Sequence, residues 1–360
     1  PAVGAYKSFE MTDGKLELSQ GGRAWIGSTW SKDPEAYARM ELKGGEVSLK
    51  DGGYLTGNKR LVKAGEYYAA EDDGHDTVKV EEDTLAANTI GFDGAAVTVE
   101  GAKNVVDAAK TELTAGTLTI KKGGDLTVRA SVATNETDAE AAAAQIAKDG
   151  YFAVKGGEMN VEKGASFVVA DSLKRVEVTG GQVKNVGRFD AGSSDMTLEN
   201  AVFANTGKLE SEGKLTIGKG GVLETAASKS EAFDMAGGVV LNEGGKLSFT
   251  ALNSTFEDPR AAAAQAEEDA EKLETKKDQL LIAGTSYTLA GGAVEGVDSV
   301  KIGRNDDAAH MTVTKGDYRF ENVRLGNSTK TDGASTLNVE GGKLTVTGLL
   351  DLRYGQTTVD

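Results

Sequence analysis

The sequence predicts an all-β chain wound as a parallel β-helix, and three observations predict it. First, a phrase of the form Gly-Gly-x-apolar-x-apolar returns along nearly the whole chain. Examples are Gly123-Gly-Asp-Leu-Thr-Val128, Gly156-Gly-Glu-Met-Asn-Val161 and Gly341-Gly-Lys-Leu-Thr-Val346. Its alternation is that of a strand with one face covered. Second, such strands recur every seven to nine residues (Leu118, Leu126; Met159, Phe167, Val176; Val239, Leu247), with eleven Gly-Gly pairs between them. Third, only Pro1, Pro34 and Pro259 are prolines, and none interrupts a strand, as unbroken ladders require.

Three strands close one coil of about 22 residues, the size of a solenoid repeat. One coil alone exposes its strand edges and cannot bury its apolar side chains. A second coil stacked at about 4.8 Å satisfies both needs. The repeats amount to about fourteen coils in one column, on the order of 65 Å long. A β-sandwich, with strands roughly every 8–12 residues, is the alternative. The shorter spacing and the Gly-Gly grammar favour the coil.

Taken in order, the phrase opens with Met11-Thr-Asp-Gly-Lys-Leu-Glu-Leu18 and Trp25-Ile26. A first insertion, 31–41, has Asp33 as N-cap and Pro34 at the first helical position, which predicts a short helix. The repeat resumes at Gly44-Gly-Glu-Val-Ser-Leu49 and breaks again over 57–90. That excursion holds Tyr67 and Tyr68, an acidic turn and the strand Thr77-Val-Lys-Val80, and reads as a hairpin. A third insertion, 131–150, carries the capping box Thr137/Glu140, four alanines and a closing Gly150, which predicts a helix of roughly three turns.

The fourth, 253–282, is capped by Asp258-Pro259. Acids come early, Lys272, Lys276 and Lys277 come late, and the apolar stripe is Ala266, Ala270, Leu273 and Leu280, a surface helix suited to its dipole. The final phrase, Leu337 to Leu352, places Leu344 on the inner face. An aspartate there would bury an unpaired charge.

Composition narrows function by exclusion. Net charge is −16, from 40 basic and 56 acidic residues, which disfavours nucleic acid and anionic membrane surfaces. There is no cysteine, hence no disulfide, thiolate metal site or thiol catalysis. No apolar run approaches the roughly 18 residues of a spanning helix, so this segment is not expected to insert into a membrane. The chain starts at Pro1, shows no signal peptide and stops at Asp360 in mid-phrase, as a piece of a longer protein would.

Repeats such as Leu337-Asn-Val-Glu-Gly-Gly-Lys-Leu-Thr-Val-Thr-Gly348 resemble the right-handed parallel β-helix passengers of bacterial autotransporters. The resemblance covers most of the chain except the alanine-rich insertions, which are not part of the usual pattern. It implies secretion to the surface of a Gram-negative cell and a non-catalytic stalk or adhesin. The implied partners are a host or bacterial surface protein, a glycan, or a second copy through self-association, and no cofactor. The insertions are the expected recognition elements, because function on a rigid scaffold sits on what projects from it. A structural subunit of an extracellular fibre or layer is another reading.

Parallel β-helices also resemble polysaccharide lyases and glycosidases, which work with carboxylates along one face. Under that alternative Asp306 and Asp307 with His310 are the acid–base candidates. Asp72, Asp73 and Asp76, beside His75, are the candidate oxygen ligands for calcium, although their spacing matches no EF-hand. Both segments also read simply as solvated turns, where Asp and Asn belong. Tyr67 and Tyr68, or Trp25 and Trp30, could stack on sugar rings, and each also reads as a packing aromatic. No phosphate loop or nucleophile elbow occurs.

Overall fold

The computed structural model describes residues 2–5, 9–26, 39–57, 59–62, 64–68, 77–82, 84–131, 139–226, 233–250, 279–303, 308–326, 335–352 and 355–359. The chain is a parallel β-helix, and its contacts group it into two compact units, Pro1–Ser194 and Asp195–Asp360.

In unit 1 three rows of parallel strands run side by side. The first row stacks Phe9–Met11, Arg39–Leu42, the first half of Thr89–Glu100, the first half of Lys110–Ile120, Tyr151–Val154 and Arg175–Val178. The second row takes Lys15–Ser19, Glu46–Lys50, the second halves of the two long strands, Glu158–Val161 and Gln182–Asn185. The third runs from Ala2–Ala5 through Arg23–Ile26, Tyr54–Gly57, Asn104–Asp107, Asp125–Arg129 and Ser166–Val169 to Arg188–Asp190.

Unit 2 repeats the plan. Its first row stacks Asp195–Leu198, Leu215–Ile217, Val239–Asn242, Ser286–Ala290, His310–Lys315, Thr336–Val339 and Gln356–Val359. Its second row holds Val202–Asn205, Val222–Ala226, Lys246–Thr250 and Ala293–Glu295, and Asp317–Phe320 pairs with Lys343–Val346.

Inward residues stack on their counterparts one coil away. One ladder runs Leu42, Phe92, Leu113, Val154, Val178; a second runs Val47, Val97, Leu118, Met159, Val183. All ten are at most 1% exposed. Phe167 lies 4.8 Å, centroid to centroid, from both Phe152 and Phe189. A fully buried Leu or Phe stabilises by about 1.5–3 kcal/mol, so thin layers without a large central core hold the unit together. Thr111 is the exception in these ladders, buried between Ile90 and Phe152 with no partner for its hydroxyl among the described residues.

The paired glycines make the corners for two different reasons. Gly123 turns the chain at φ +77° with open space around it, whereas a Cβ on Gly124 would meet the Val99 carbonyl at 2.7 Å. One glycine supplies a left-handed turn and the next lets the coils approach. Where the corner lacks the glycine pair, Lys103 takes φ 64°, and the buried Asn104 amide fills the corner. Its Nδ2 donates to the carbonyls of Glu100, Gly101 and Asp125, and its Oδ1 accepts from the Gly53 N–H at 3.0 Å.

Three expected boundaries move. Arg39–Glu41 and Thr89–Ile90 belong to coil strands and not to insertions 31–41 and 57–90. Gln279–Ile282, read as the end of the fourth insertion, is a strand paired with Ser299–Ile302. Leu280 is 5% exposed in the sheet, not on a helical stripe. The spacing from Leu273 to Leu280 suits a helix, but Leu280 and Ile282 alternate at the strand period, and burial decides. The short helix at Asp33-Pro34 and the helix opened by Asp258-Pro259 fall outside the described residues.

Candidate functional site at the insertion corner

A plain coil of unit 1 passes from its third row to its first through two residues, Ala108 and Ala109, both fully buried. At this same corner the preceding coil leaves after Tyr54–Gly57 and returns at Thr89. The following coil leaves after Asp125–Arg129 and returns at Tyr151. The two excursions therefore emerge on either side of one tight closure.

The first excursion is a ribbon: Lys59–Val62 pairs antiparallel with Thr84–Ala87, and Gly65–Tyr68 with Thr77–Val80. The hairpin reading holds. The second contains helix α1, Ala139–Asp149, with Glu140 in its first turn and Lys148 in its last, as the dipole favours. Ala142 and Ile146, one turn apart, are its buried residues. Helix α1 lies against Lys59–Val62 and Thr84–Ala87, so the two excursions meet. Gly150 ends the helix, its N–H donating to the Ile146 carbonyl at 2.7 Å. A side chain there would strike that carbonyl, the Leu173 side chain and the Ala109 carbonyl.

Two clusters anchor these roots. In the third row the Asp107 carboxylate, 2% exposed, accepts from Tyr54 Oη at 2.6 Å, Arg129 Nε at 3.1 Å and the Ser131 N–H at 2.8 Å, and also from the Ser131 hydroxyl. Its own carbonyl accepts from Thr56 Oγ1 at 3.1 Å. Tyr54 and Thr56 precede the first excursion and Ser131 opens the second, so one buried carboxylate ties both. Arg23 covers the Tyr54 ring at 5.0 Å, a cation–π contact. Burial first, then the bond to Asp107, pushes the Tyr54 phenol up.

In the first row Arg39 bridges Asp93 and Glu112. Gly91 makes room for it, since a Cβ there would overlap the guanidinium. Glu112 also accepts from Tyr151 Oη at 2.6 Å and Lys155 Nζ at 2.5 Å, and Thr114 Oγ1 donates to Asp93 at 2.7 Å. Burial opposes ionisation of Glu112, yet the bonds from Lys155, Tyr151 and Arg39 outweigh it and hold the carboxyl down at about 2. Arg175 stacks on the Tyr151 ring at 5.3 Å and donates to the Asp149 carbonyl at 3.0 Å, fixing the exit of α1.

Chemically these groups are spent on one another. A carboxyl held near 2 has no proton to give near neutrality, and Asp93 and Glu112 share the Arg39 charge. The arrangement positions backbone; it does not present an acid–base pair.

The residues singled out in the sequence lie elsewhere. Tyr67 and Tyr68 are on the ribbon, facing Val78 and Thr77 in register. His310 opens a first-row strand of unit 2, exposed, with Nδ1 2.9 Å from Thr336 Oγ1. Trp25 is a half-buried third-row residue of unit 1. Asp72, Asp73, His75, Asp76, Asp306, Asp307 and Trp30 lie outside the described residues. Among the described residues no group of three or more His, Cys, Asp or Glu is placed to hold a metal ion, and no helix is long and apolar enough to cross a membrane.

Sequence reasoning missed Asp107, Arg39 and Glu112. Arg39 and Glu112 are 73 residues apart, and only the coil register, disturbed by the insertions, unites them. The available signal was the phase of Glu41, Gly91 and Glu112 on successive coils.

No family model and no curated protein matches the chain. Among solved structures it aligns with the crystal structure of the TibC-catalysed hyper-glycosylated TibA fragment spanning residues 55 to 350. The alignment covers 100% of both chains at 12% identity, with a TM-score of 0.34. A superposition that loose carries no argument about this chain.

Proposed function

We propose that the chain is a non-catalytic, autotransporter-like passenger displayed at the surface of a Gram-negative cell. It serves as a stalk and adhesin whose excursions carry recognition of a host or bacterial surface protein or glycan. One observation carries this reading: two long excursions of unit 1 leave from one corner, pack on each other and are tied at their roots by Asp107. A parallel coil tolerates such additions because its ladders close without them. An acidic chain with self-repelling charge stays soluble outside the cell.

The test closes each excursion as the molecule closes its plain corner. Residues 58–88 and 131–150 are each replaced by a single alanine in the full displayed chain, and binding to host cells and to a glycan array is measured beside circular dichroism. The coil should retain its β signal while binding falls about tenfold, or 1.4 kcal/mol. Unchanged binding by the trimmed chain would remove the excursions from recognition. Turnover of an acidic polysaccharide by the intact chain would make it an enzyme instead.

A further inference from the structure

The first row of unit 2 has an outer face unlike the other outer faces of that unit. Along it, in register, stand Thr197, Thr216, Val240, Thr288, Thr312, Asn338 and Thr358. Two residues earlier on the last four strands, a parallel line runs Ser286, His310, Thr336 and Gln356. From Thr216 through Asn338 this line carries no formal charge; beside it stand Asp195, on the first strand, and Lys315, in register with Ala290 and paired with Glu243. The second row of the same unit shows Glu224, Lys246, Glu295, Asp317, Arg319 and Lys343. In a chain with 27% charged residues and a net charge of −16, a line this long without charge sets the first row of unit 2 apart from its second row.

Each threonine presents one hydroxyl donor, two acceptor lone pairs and a methyl. Successive coils repeat that group at about 4.8 Å, and the neighbouring line lies roughly 6.6 Å away along the strand. The coil step is close to the length of one pyranose ring in an extended polysaccharide. We infer that this face is a binding surface for an uncharged, extended polysaccharide lying along the coil direction, one sugar to a coil. Charge decides the class of partner. An anionic glycan finds no cation along the line and meets the field of an acidic chain, and a cationic one finds no carboxylate there. A neutral polyol exchanges water for hydroxyls without desolvating an ion. The inference goes beyond the excursions, which lie in unit 1, and does not depend on them.

The experiment uses the full chain, with sedimentation on microcrystalline cellulose, affinity electrophoresis in hydroxyethylcellulose and a parallel gel containing alginate. Retention by the two uncharged polymers and not by alginate is expected. The double variant T288V/T312V keeps shape and strand preference and should weaken retention about tenfold with unchanged melting, because hydroxyl bonds are lost. T288K/T312K should do the same, whereas T119V on unit 1 should change nothing. V240T completes the line and should strengthen retention about twofold. A chain trimmed of 58–88 and 131–150 should be retained as before, which separates this result from the test of the excursions. Three results would overturn the inference: no retention by either uncharged polymer, retention indifferent to both double variants, or a dimer in sedimentation that T288K/T312K dissolves.

Discussion

The outer faces of the two first rows show what a β-helix does with the side chains it leaves in water. In unit 1 that face is charged and cross-linked: Arg39, Asp93, Glu112 and Lys155 bind one another across successive coils, and Arg175 beside them donates to the Asp149 carbonyl. In unit 2 it is a line of hydroxyls, with the Lys315–Glu243 pair at the end of its strands. The inner faces of both are aliphatic and buried. The same backbone thus carries a face locked by electrostatics and a face left open. Locking coincides with the corner where the excursions of unit 1 must be held.

The sharpest way to break this contrast is to remove the centre of the locked face. Glu112→Ala leaves Lys155 without its carboxylate and Arg39 with Asp93 in place of two partners. A loss of about 3 kcal/mol in urea unfolding is expected. Thr288→Ala on the open face should stay within about 0.5 kcal/mol. Comparable losses would mean the ion pairs are ornament.

Acid should separate the two faces next. Glu112 has its folded carboxyl at about 2, below the roughly 4.3 of an unfolded glutamate. The stabilisation is therefore complete above about pH 5 and disappears as pH falls through about 2, on the order of 3 kcal/mol. Hydrogen exchange resolved by peptide should show 110–120 opening over that window before 286–290 does. Glu112→Gln should flatten the pH dependence of the first peptide.

A smaller effect has the opposite sign. Thr111→Val removes a buried hydroxyl that has no partner and should raise stability by about 1 kcal/mol. A drop would mean the hydroxyl is satisfied. Least of all, molar salt should loosen the exposed pairs of Lys43 with Glu10 and Glu41 and leave the threonine line unmoved.

Much of the fold was legible because it is dictated locally. Alternation at Leu126 and Val128 sets the inner face, and ten of the eleven Gly-Gly pairs contain a residue at positive φ. Helix α1 could be read from its alanines. Leu344 was placed inward, and the structure leaves it half-buried on Lys343–Val346, whereas Leu118 in the same phase is fully covered. Cover depends on the coils to either side, which local pattern does not count. The anchor at Asp107 was not legible either. Its partners Tyr54 and Arg129 lie 53 and 22 residues away, and their meeting depends on how much chain each excursion consumes.

The Ala108–Ala109 closure has a consequence for how such a molecule changes. Because the ladders above and below are complete with two residues spanning the gap, the chain length inserted there is nearly free of thermodynamic penalty, rising only with the logarithm of its length. The corner is a splice point. New segments whose ends lie close together can be exchanged there while the scaffold keeps its register, and lineages or engineers can rewrite what is displayed without redesigning what displays it.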